Sequence, residues 1–179
     1  MISFEEKFQF ISKRRSNIVQ EKSELEYVHG LMESLNPESY LEVGTAEGDS
    51  LYVLGSLISE TGRIHWVDKD ESTPRIMRMH VEEMLKPRTI TGYSGLSTDD
   101  EAQLDEQFDV VMIDGGHDYE TVLCDCRRFV PLARKLVLWH DIQLAGVKKA
   151  VDEYMAGRKY ETFIHSETMG YAILRVSND

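Results

Sequence analysis

The chain has 179 residues, a length that suits one domain with one core, and its 32 acidic and 20 basic side chains give a formal net charge of -12. Because this charge would repel phosphates, we expect neither a nucleic-acid partner nor an anionic membrane surface. No basic segment followed by a long apolar stretch opens the chain, and its longest uncharged apolar-rich run, 51–58, is far shorter than the roughly 20 residues that span a bilayer. The expectation is a cytoplasmic protein with no membrane segment, organised as one domain over residues 1–179, in which Cys124 and Cys126 are reduced.

The first segment of the chain, 1–36, is predicted to be helical. Apolar residues recur there at steps of three and four, the spacing of one face of a helix; they are Leu25, Val28, Met32 and Leu35. Pro37 ends this helix, because the residue before a proline is pushed out of the α region.

Strands and helices are predicted to alternate after residue 37. Seven short segments have the apolar character of strands: 40–43, 63–67, 88–93, 108–113, 135–139, 160–165 and 171–176. Helices are predicted between them, among others at 49–59 and 119–132. Such alternation implies a parallel sheet with right-handed crossovers, and the last two strands can pair as a hairpin. The predicted fold class is α/β: a doubly wound, Rossmann-like, mostly parallel seven-stranded sheet with one antiparallel edge strand and helices on both faces.

The loop after the first predicted strand carries two glycines in the sequence EVGTAEG, Glu42–Gly48. These glycines permit a tight turn and a close approach of the backbone to a ligand. The middle glycine of the dinucleotide fingerprint is missing, which disfavours an NAD-linked enzyme, and so is the Gly-Lys-Ser/Thr of a phosphate-binding P-loop. An acidic residue before the loop, Glu42, instead suits a cationic ligand such as the ammonium group of an amino-acid moiety.

The second predicted strand ends in Asp68, twenty residues after Gly48. A carboxylate at this position can accept hydrogen bonds from both hydroxyls of a ribose. The alternative interpretation is a plain strand-turn-helix corner with a surface aspartate.

These residues resemble the first motif of class I S-adenosylmethionine (SAM)-dependent methyltransferases, in which Tyr40–Gly48 is followed by Asp-Ser-Leu. The stretch Asp114–Glu120, followed by Asp125 and then His140-Asp141, is similar to small-molecule O-methyltransferases that act on sugars, macrolide-type natural products and phenolics. The resemblance covers about residues 20–176 and implies SAM as the cofactor. It places the methionine part at Glu42, Gly44 and Gly48, the ribose at Asp68, and the adenine near Ser94 and Gly95. The full predicted cofactor-binding set is Glu42, Gly44, Thr45, Ala46, Gly48, Ser50, Asp68, Lys69, Ser94, Gly95 and Asp114.

The ends of the fourth and fifth predicted strands carry the candidate reaction chemistry. Asp114 follows one strand and His140-Asp141 ends the next, so adjacent parallel strands bring them together. The resemblance implies a divalent-metal site of Asp114, His140 and Asp141, which would bind the acceptor hydroxyl and lower its pKa. Imidazole suits zinc or manganese better than magnesium, and all three metals stay open. The alternative is that Asp141 caps the following helix and His140 merely packs.

His117 lies three residues after Asp114, where some related O-methyltransferases carry a lysine general base. Histidine readily exchanges a proton at physiological pH, so it can activate a hydroxyl as a nucleophile. The alternative is a structural loop histidine, and Asp118 is interpreted as a helix cap rather than a catalytic group. The predicted catalytic set is His117, Asp114 and Asp141.

The sequence therefore predicts a SAM-dependent methyltransferase that acts on a hydroxyl of a small molecule, with or without a metal. A second hypothesis is a catalytically inactive methyltransferase-fold module that serves as a partner subunit. The acceptor is not specified, because acceptor pockets in this fold come from loops and terminal helices. A monomer and a homodimer are both compatible with the sequence; the N-terminal helices and the terminal hairpin could present a dimer face.

Overall fold

The computed structural model describes residues 2–14, 20–69, 72–165 and 168–176, and within these ranges seven strands form one sheet. The strands are β1 Ser39–Val43, β2 Arg63–Asp68, β3 Thr89–Ser94, β4 Phe108–Ile113, β5 Ala133–His140, β6 Glu161–Phe163 and β7 Tyr171–Arg175. The helices are α1 Phe4–Arg14, α2 Lys22–Leu35, α3 Asp49–Gly55, α4 Ser72–Leu85, α5 Tyr119–Phe129 and α6 Ala145–Met155. Short 3-10 turns lie at Asp100–Ala102 and Val130–Leu132.

The strand order is β3-β2-β1-β4-β5-β7-β6, with β1 to β5 parallel to one another. The predicted architecture is confirmed, including the terminal hairpin of β6 and β7. The antiparallel strand of this hairpin is β7, which pairs with β5 as well, so that β6 forms the edge of the sheet. The chain winds from β1 outward to β3 and then crosses back to β4, so the winding reverses between β1 and β4.

Two apolar clusters cover the two faces of the sheet. Every residue of β4 is buried, as expected for a central strand with helices on both sides. On one face, side chains of α5 and α6 such as Val122 and Val151 pack on Val111 and Val137 of the strands. On the other face, α1 to α4 pack on the opposite sides of the same strands; the predicted stripe of α2 supplies Leu25, Val28 and Met32 to this cluster, and Leu35 lies partly buried beside it.

Two helices end earlier than predicted. The helix predicted over 49–59 ends at Gly55, beyond which the amide of Ile58 donates to the carbonyl of Gly55 in a turn. The helix predicted over 119–132 ends at Phe129, because Pro131 has no amide N–H to continue the helical hydrogen bonds, and the chain tightens into a 3-10 turn. None of the helices in the described ranges has the length and apolar character that crossing a bilayer requires.

Candidate functional site

A cleft of about 460 Å³ lies beyond the carboxyl ends of the central strands, at the point where the winding reverses. Open α/β sheets bind ligands at this point, and the volume falls within the roughly 300–1,000 Å³ of small-molecule pockets. Ten of the predicted site residues line the cleft: Gly44, Thr45, Ala46, Ser50, Asp68, Lys69, Gly95, Asp114, His117 and Asp141. Four others do not line it: Glu42, Gly48, Ser94 and His140.

Gly44 allows the loops after β1 and β4 to touch. Its φ is 86°, in the left-handed region that favours glycine. A β-carbon at this position would lie 2.2 Å from the backbone oxygen of Asp114. The amide of Asp114 in turn donates to the carbonyl of Val43 at 2.7 Å, so the two loops are joined by their backbones.

Asp68 fastens the glycine loop. Its Oδ2 accepts hydrogen bonds from the amides of Thr45 at 2.5 Å and Ala46 at 2.6 Å, and from the Thr45 hydroxyl at 3.1 Å. The residue is only 9% exposed, so it is not the surface aspartate of the alternative interpretation. Its predicted contact with a ribose stays a prediction.

Glu42 lies behind the wall of the cleft. It is fully buried, and its carboxyl accepts hydrogen bonds from the hydroxyls of Tyr40 at 2.6 Å and Ser50 at 2.5 Å. Burial raises the pKa of this carboxyl to about 8; the two hydroxyls lower it, whereas the carboxylates of Asp114 and Asp68 raise it further. In the structure Glu42 therefore bonds to residues on both sides of the glycine loop. Its predicted contact with an ammonium group stays a prediction.

The predicted metal ligands come together at the other end of the cleft. Ile113 and Trp139 are register partners in β4 and β5, so the residues that follow them meet at one edge of the sheet. The Nδ1 atom of His140 lies 3.0 Å from Oδ1 of Asp114 and 3.2 Å from Oδ1 of Asp141. One ligand atom from each of these three residues lies within 4.8 Å of the other two.

Each of these three side chains is also held by an outer partner at its second polar atom. The Gln20 amide donates to Oδ2 of Asp114 at 2.7 Å, and Nε2 of His117 lies 2.8 Å from Oδ2 of Asp141. On its outer side, Nε2 of His140 lies 3.4 Å from a carboxylate oxygen of Glu24. Each of the three side chains therefore directs one polar atom toward the other two, while its second polar atom contacts a residue outside the cluster.

The charge balance of the cluster centres on His140. Burial lowers the pKa of this imidazole, but the carboxylates of Asp114, Asp141 and Glu24 more than offset it and raise the pKa to about 12. The pKa of the Asp141 carboxyl is lowered, because His140 and His117 outweigh the effect of burial. Among protein groups alone, the cluster is a buried cation surrounded by anions.

Asp141 is not the cap of the next helix, so that interpretation is wrong. α6 begins at Ala145 with Leu144 as its N-cap, and the backbone carbonyl of Asp141 accepts from the Leu144 amide at 2.9 Å. The φ of Asp141 is 58°, a left-handed conformation that costs on the order of 1 kcal/mol for a non-glycine residue. Asp118 does cap α5, as predicted, because its carboxylate accepts from the amide of Thr121 at 3.0 Å.

His117 stands at the mouth of the cleft with 54% of its side chain exposed. Its backbone is held close to α6: a β-carbon at Gly146 would lie 2.4 Å from the His117 carbonyl oxygen. The exposed imidazole can therefore reach a ligand in the cleft, while the backbone of its loop packs against α6.

Asp125 is a buried carboxylate beneath the loop that follows β4. A β-carbon at Gly115 would lie 3.8 Å from its Oδ2, and neither of its oxygens has a hydrogen-bond partner of normal geometry among the described residues. Burial raises the pKa of Asp125 to about 6, although the nearby Ser97 hydroxyl and Arg128 guanidinium lower it in part.

The sequence analysis missed several residues of this site. Ten further residues line the cleft: Gln20, Val43, Glu47, Asp49, Val67, Leu96, Ser97, Gly115, Gly116 and Thr121. Glu24 was also missed, although a glutamate beside Leu25 on the apolar side of a predicted helix is a signal that could have indicated it. Gln20 has no such pattern.

Solved structures of methyltransferases share the fold of this chain. An O-methyltransferase from Bacillus cereus in complex with S-adenosylhomocysteine (SAH) is 16% identical, with a TM-score of 0.72 over 97% of this chain and 90% of that chain. The O-methyltransferase TomG from Streptomyces achromogenes, involved in tomaymycin synthesis and solved with SAM, is also 16% identical, with a TM-score of 0.72 over 95% and 87%. The SAH-bound methyltransferase PaMTH1 from Podospora anserina is 12% identical, with a TM-score of 0.69 over 98% and 88%.

At these identities the solved structures establish the shared fold. A search of curated protein sequences gives no match. A family model described as a methyltransferase domain matches residues 41–142, which is more than half of the chain and includes both ends of the cleft. The family expected from the sequence is confirmed, and the chain belongs to the methyltransferase domain family.

Proposed function

We propose that this chain is a SAM-dependent O-methyltransferase that transfers a methyl group to a hydroxyl of a small molecule. The observation that carries the proposal is a single cleft with two ends. One end is the glycine corner, the loop 44–46, two of whose amides donate to Asp68, and the other end holds Asp114, His117 and Asp141. We treat residues 1–179 as one domain, because Gln20 of the N-terminal segment lies on the wall of this cleft.

SAM would occupy the cleft from the glycine corner to the loop after β3. The wall of the cleft at the glycine corner is lined by Gly44, Thr45 and Ala46, and Asp68 lines it as well. Gly95, with the missed Leu96 and Ser97, supplies the wall on which we place the adenine. The sulfonium would then lie toward Asp114.

The transfer itself needs a nucleophilic oxygen and a proton acceptor. The acceptor oxygen forms a bond to the methyl carbon of SAM while the carbon–sulfur bond breaks, and the electron pair of that bond stays on sulfur to give SAH. The hydroxyl proton passes to the imidazole of His117. Asp141, 2.8 Å from that imidazole, stabilises the imidazolium and holds the ring in place.

The same residues fit a divalent metal. One nitrogen and two carboxylate oxygens converge within 4.8 Å of one another, a mixed donor set that suits zinc or manganese better than magnesium. Asp114, His140 and Asp141 would hold the ion. A bound metal would supply Lewis-acid chemistry that lowers the pKa of the acceptor hydroxyl.

A thermal-shift experiment with SAH tests the cofactor assignment. Ligand at about a hundredfold excess over its Kd stabilises by roughly 2.7 kcal/mol, which corresponds to about 5–10 °C for a domain of this size. Labelled SAM with a panel of sugar, macrolide and phenolic hydroxyl acceptors, with and without a chelator, then tests the reaction. No shift with either SAM or SAH would contradict the proposal.

The inactive-module alternative makes the opposite prediction for turnover. It allows SAH to bind but predicts no transfer to any acceptor. The exposed His117 beside Asp141 favours the enzyme, because its imidazole lines the cleft and 54% of the side chain is open to a bound acceptor.

A further inference from the structure

Glu24 of α2 is a carboxylate in an unusual place. Its side chain is 1% exposed, in a helix whose neighbouring residues Leu25 and Val28 belong to the core. Glutamates are almost never buried to this extent unless they are paired. Burial raises the pKa of its carboxyl, but hydrogen bonds from His140, the Thr168 hydroxyl and the Gly170 amide outweigh this and lower it.

The two oxygens of Glu24 contact groups in different parts of the fold. Oε1 accepts from the backbone amide of Gly170, in the loop before β7, and Oε2 lies 3.4 Å from Nε2 of His140. The carboxylate therefore ties the N-terminal helix both to the terminal hairpin and to the reaction end of the cleft.

This contact fixes which nitrogen of His140 points inward. A neutral ring that ligates a metal through Nδ1, the nitrogen that faces Asp114 and Asp141, keeps its proton on Nε2, where Glu24 accepts it. The ring is also held from the side by Tyr171, with ring centroids 4.7 Å apart. Histidines that bind metals commonly donate their other N–H group to a carboxylate in this way.

We infer that Glu24 is a positioning residue that presents Nδ1 of His140 to a divalent metal held with Asp114 and Asp141. The inference rests on the metal-assisted form of the proposed function. It assigns a role in the site to the N-terminal helix, and Gln20 plays the corresponding part for Asp114 by donating to its outer oxygen.

Binding of Co²⁺, followed through its visible absorption, tests this role without any turnover. In Glu24→Gln, one carboxamide oxygen faces two N–H donors, so His140 loses its acceptor or Gly170 does. We expect the Kd for Co²⁺ to weaken about 10- to 100-fold, the range for outer partners of metal ligands. The matched control is Glu26→Gln, the same change at an exposed position of the same helix, which should leave the Kd unchanged.

The outcomes separate this inference from the proposed function. Equal Co²⁺ affinity in the wild type and Glu24→Gln would overturn the role of Glu24 and leave the metal in place. A wild type that binds SAH but no Co²⁺ would overturn the metal and the role of Glu24 together, while methyl transfer would stand.

A second measurement covers a Glu24→Gln protein that does not fold. In the Zn²⁺-loaded wild type, ¹⁵N NMR of the histidine side chains should show His140 metallated at Nδ1 and protonated at Nε2. Metallation at Nε2, or a His140 signal that Zn²⁺ does not move, would overturn the inference.

Discussion

The two ends of the cleft are built in different ways. At the glycine corner, consecutive backbone amides of Thr45 and Ala46 are fastened by one carboxylate, Asp68, from the neighbouring strand. At the reaction end, side chains from three stretches of the chain meet, and hydrogen bonds and ion pairs join them; the residues are Gln20 and Glu24, Asp114 and His117, and His140 and Asp141. The first end depends on backbone shape and tolerates few conformational changes, whereas the second depends on charge balance and should be sensitive to the loss of single polar atoms.

The largest difference between the two ends should appear on removal of the base. His117→Ala is expected to lower turnover about 10²- to 10⁴-fold, the usual contribution of a general base, while the Kd for SAH changes little. Initial rates with labelled SAM and calorimetry with SAH measure the two effects. An unchanged rate would remove His117 from the reaction and make it a structural loop residue.

The glycine corner should respond in binding and stability together. Gly44→Ala places a β-carbon 2.2 Å from the Asp114 backbone oxygen, so the loops must separate. We expect a loss of at least about 2 kcal/mol of unfolding free energy and of most SAH binding.

Gly48→Ala is the matched control for this substitution. Its φ of 85° is nearly the same, but its β-carbon would meet only the Val81 side chain, at 3.4 Å. It should cost about 1–2 kcal/mol of backbone strain. Similar SAH affinity in both variants, measured by calorimetry, would show that the loop contact is not required.

Asp125, beneath the loop that both ends share, should make stability depend on pH. Its folded-state pKa of about 6 lies above the ordinary value, so the folded state holds its proton more tightly than the unfolded state does. Stability is therefore lost as pH rises from about 4 to 6. Asp125→Asn should remove this dependence and gain about 1–3 kcal/mol over the wild type at pH 7. Urea denaturation at several pH values measures the difference, and parallel profiles for the two proteins would contradict it.

The smallest effect is expected at the cap of α5, outside both ends. Asp118→Ala removes the acceptor for the Thr121 amide and should cost about 0.5–2 kcal/mol. The pKa of Asp118 is lowered by that amide, so its contribution is present near neutral pH and is lost as pH falls through the folded-state pKa. SAH binding should be unaffected; a marked loss would place α5 in the donor site.

What the sequence could predict follows the same division. Local patterns predict the seven apolar strands, the glycine loop after β1 and Asp68 at the end of β2. The structure has these features where they are expected. The approach of Asp114 to His140 follows from topology, because adjacent parallel strands end at one edge.

Tertiary packing decided what the sequence pattern could not. Glu42 is in the predicted place along the chain, but the hydroxyls of Tyr40 and Ser50 enclose it. Asp141 has a residue type that favours a helix cap, yet α6 starts later and the chain passes through a left-handed conformation first. Glu24 lies 116 positions from His140, and no local signal joins residues so far apart.

The backbone of Asp114 rests directly on Gly44, while its side chain contacts His140, so we expect a displacement of either loop to be passed to the other through this contact. With the proposed cation in the cluster, we expect a ligand that shifts the loop at Gly44 to alter the affinity for that cation, and thermodynamic linkage requires the reverse effect to be of equal size. Donor and cation would then load as a coupled pair, each changing the dissociation constant of the other by the same factor.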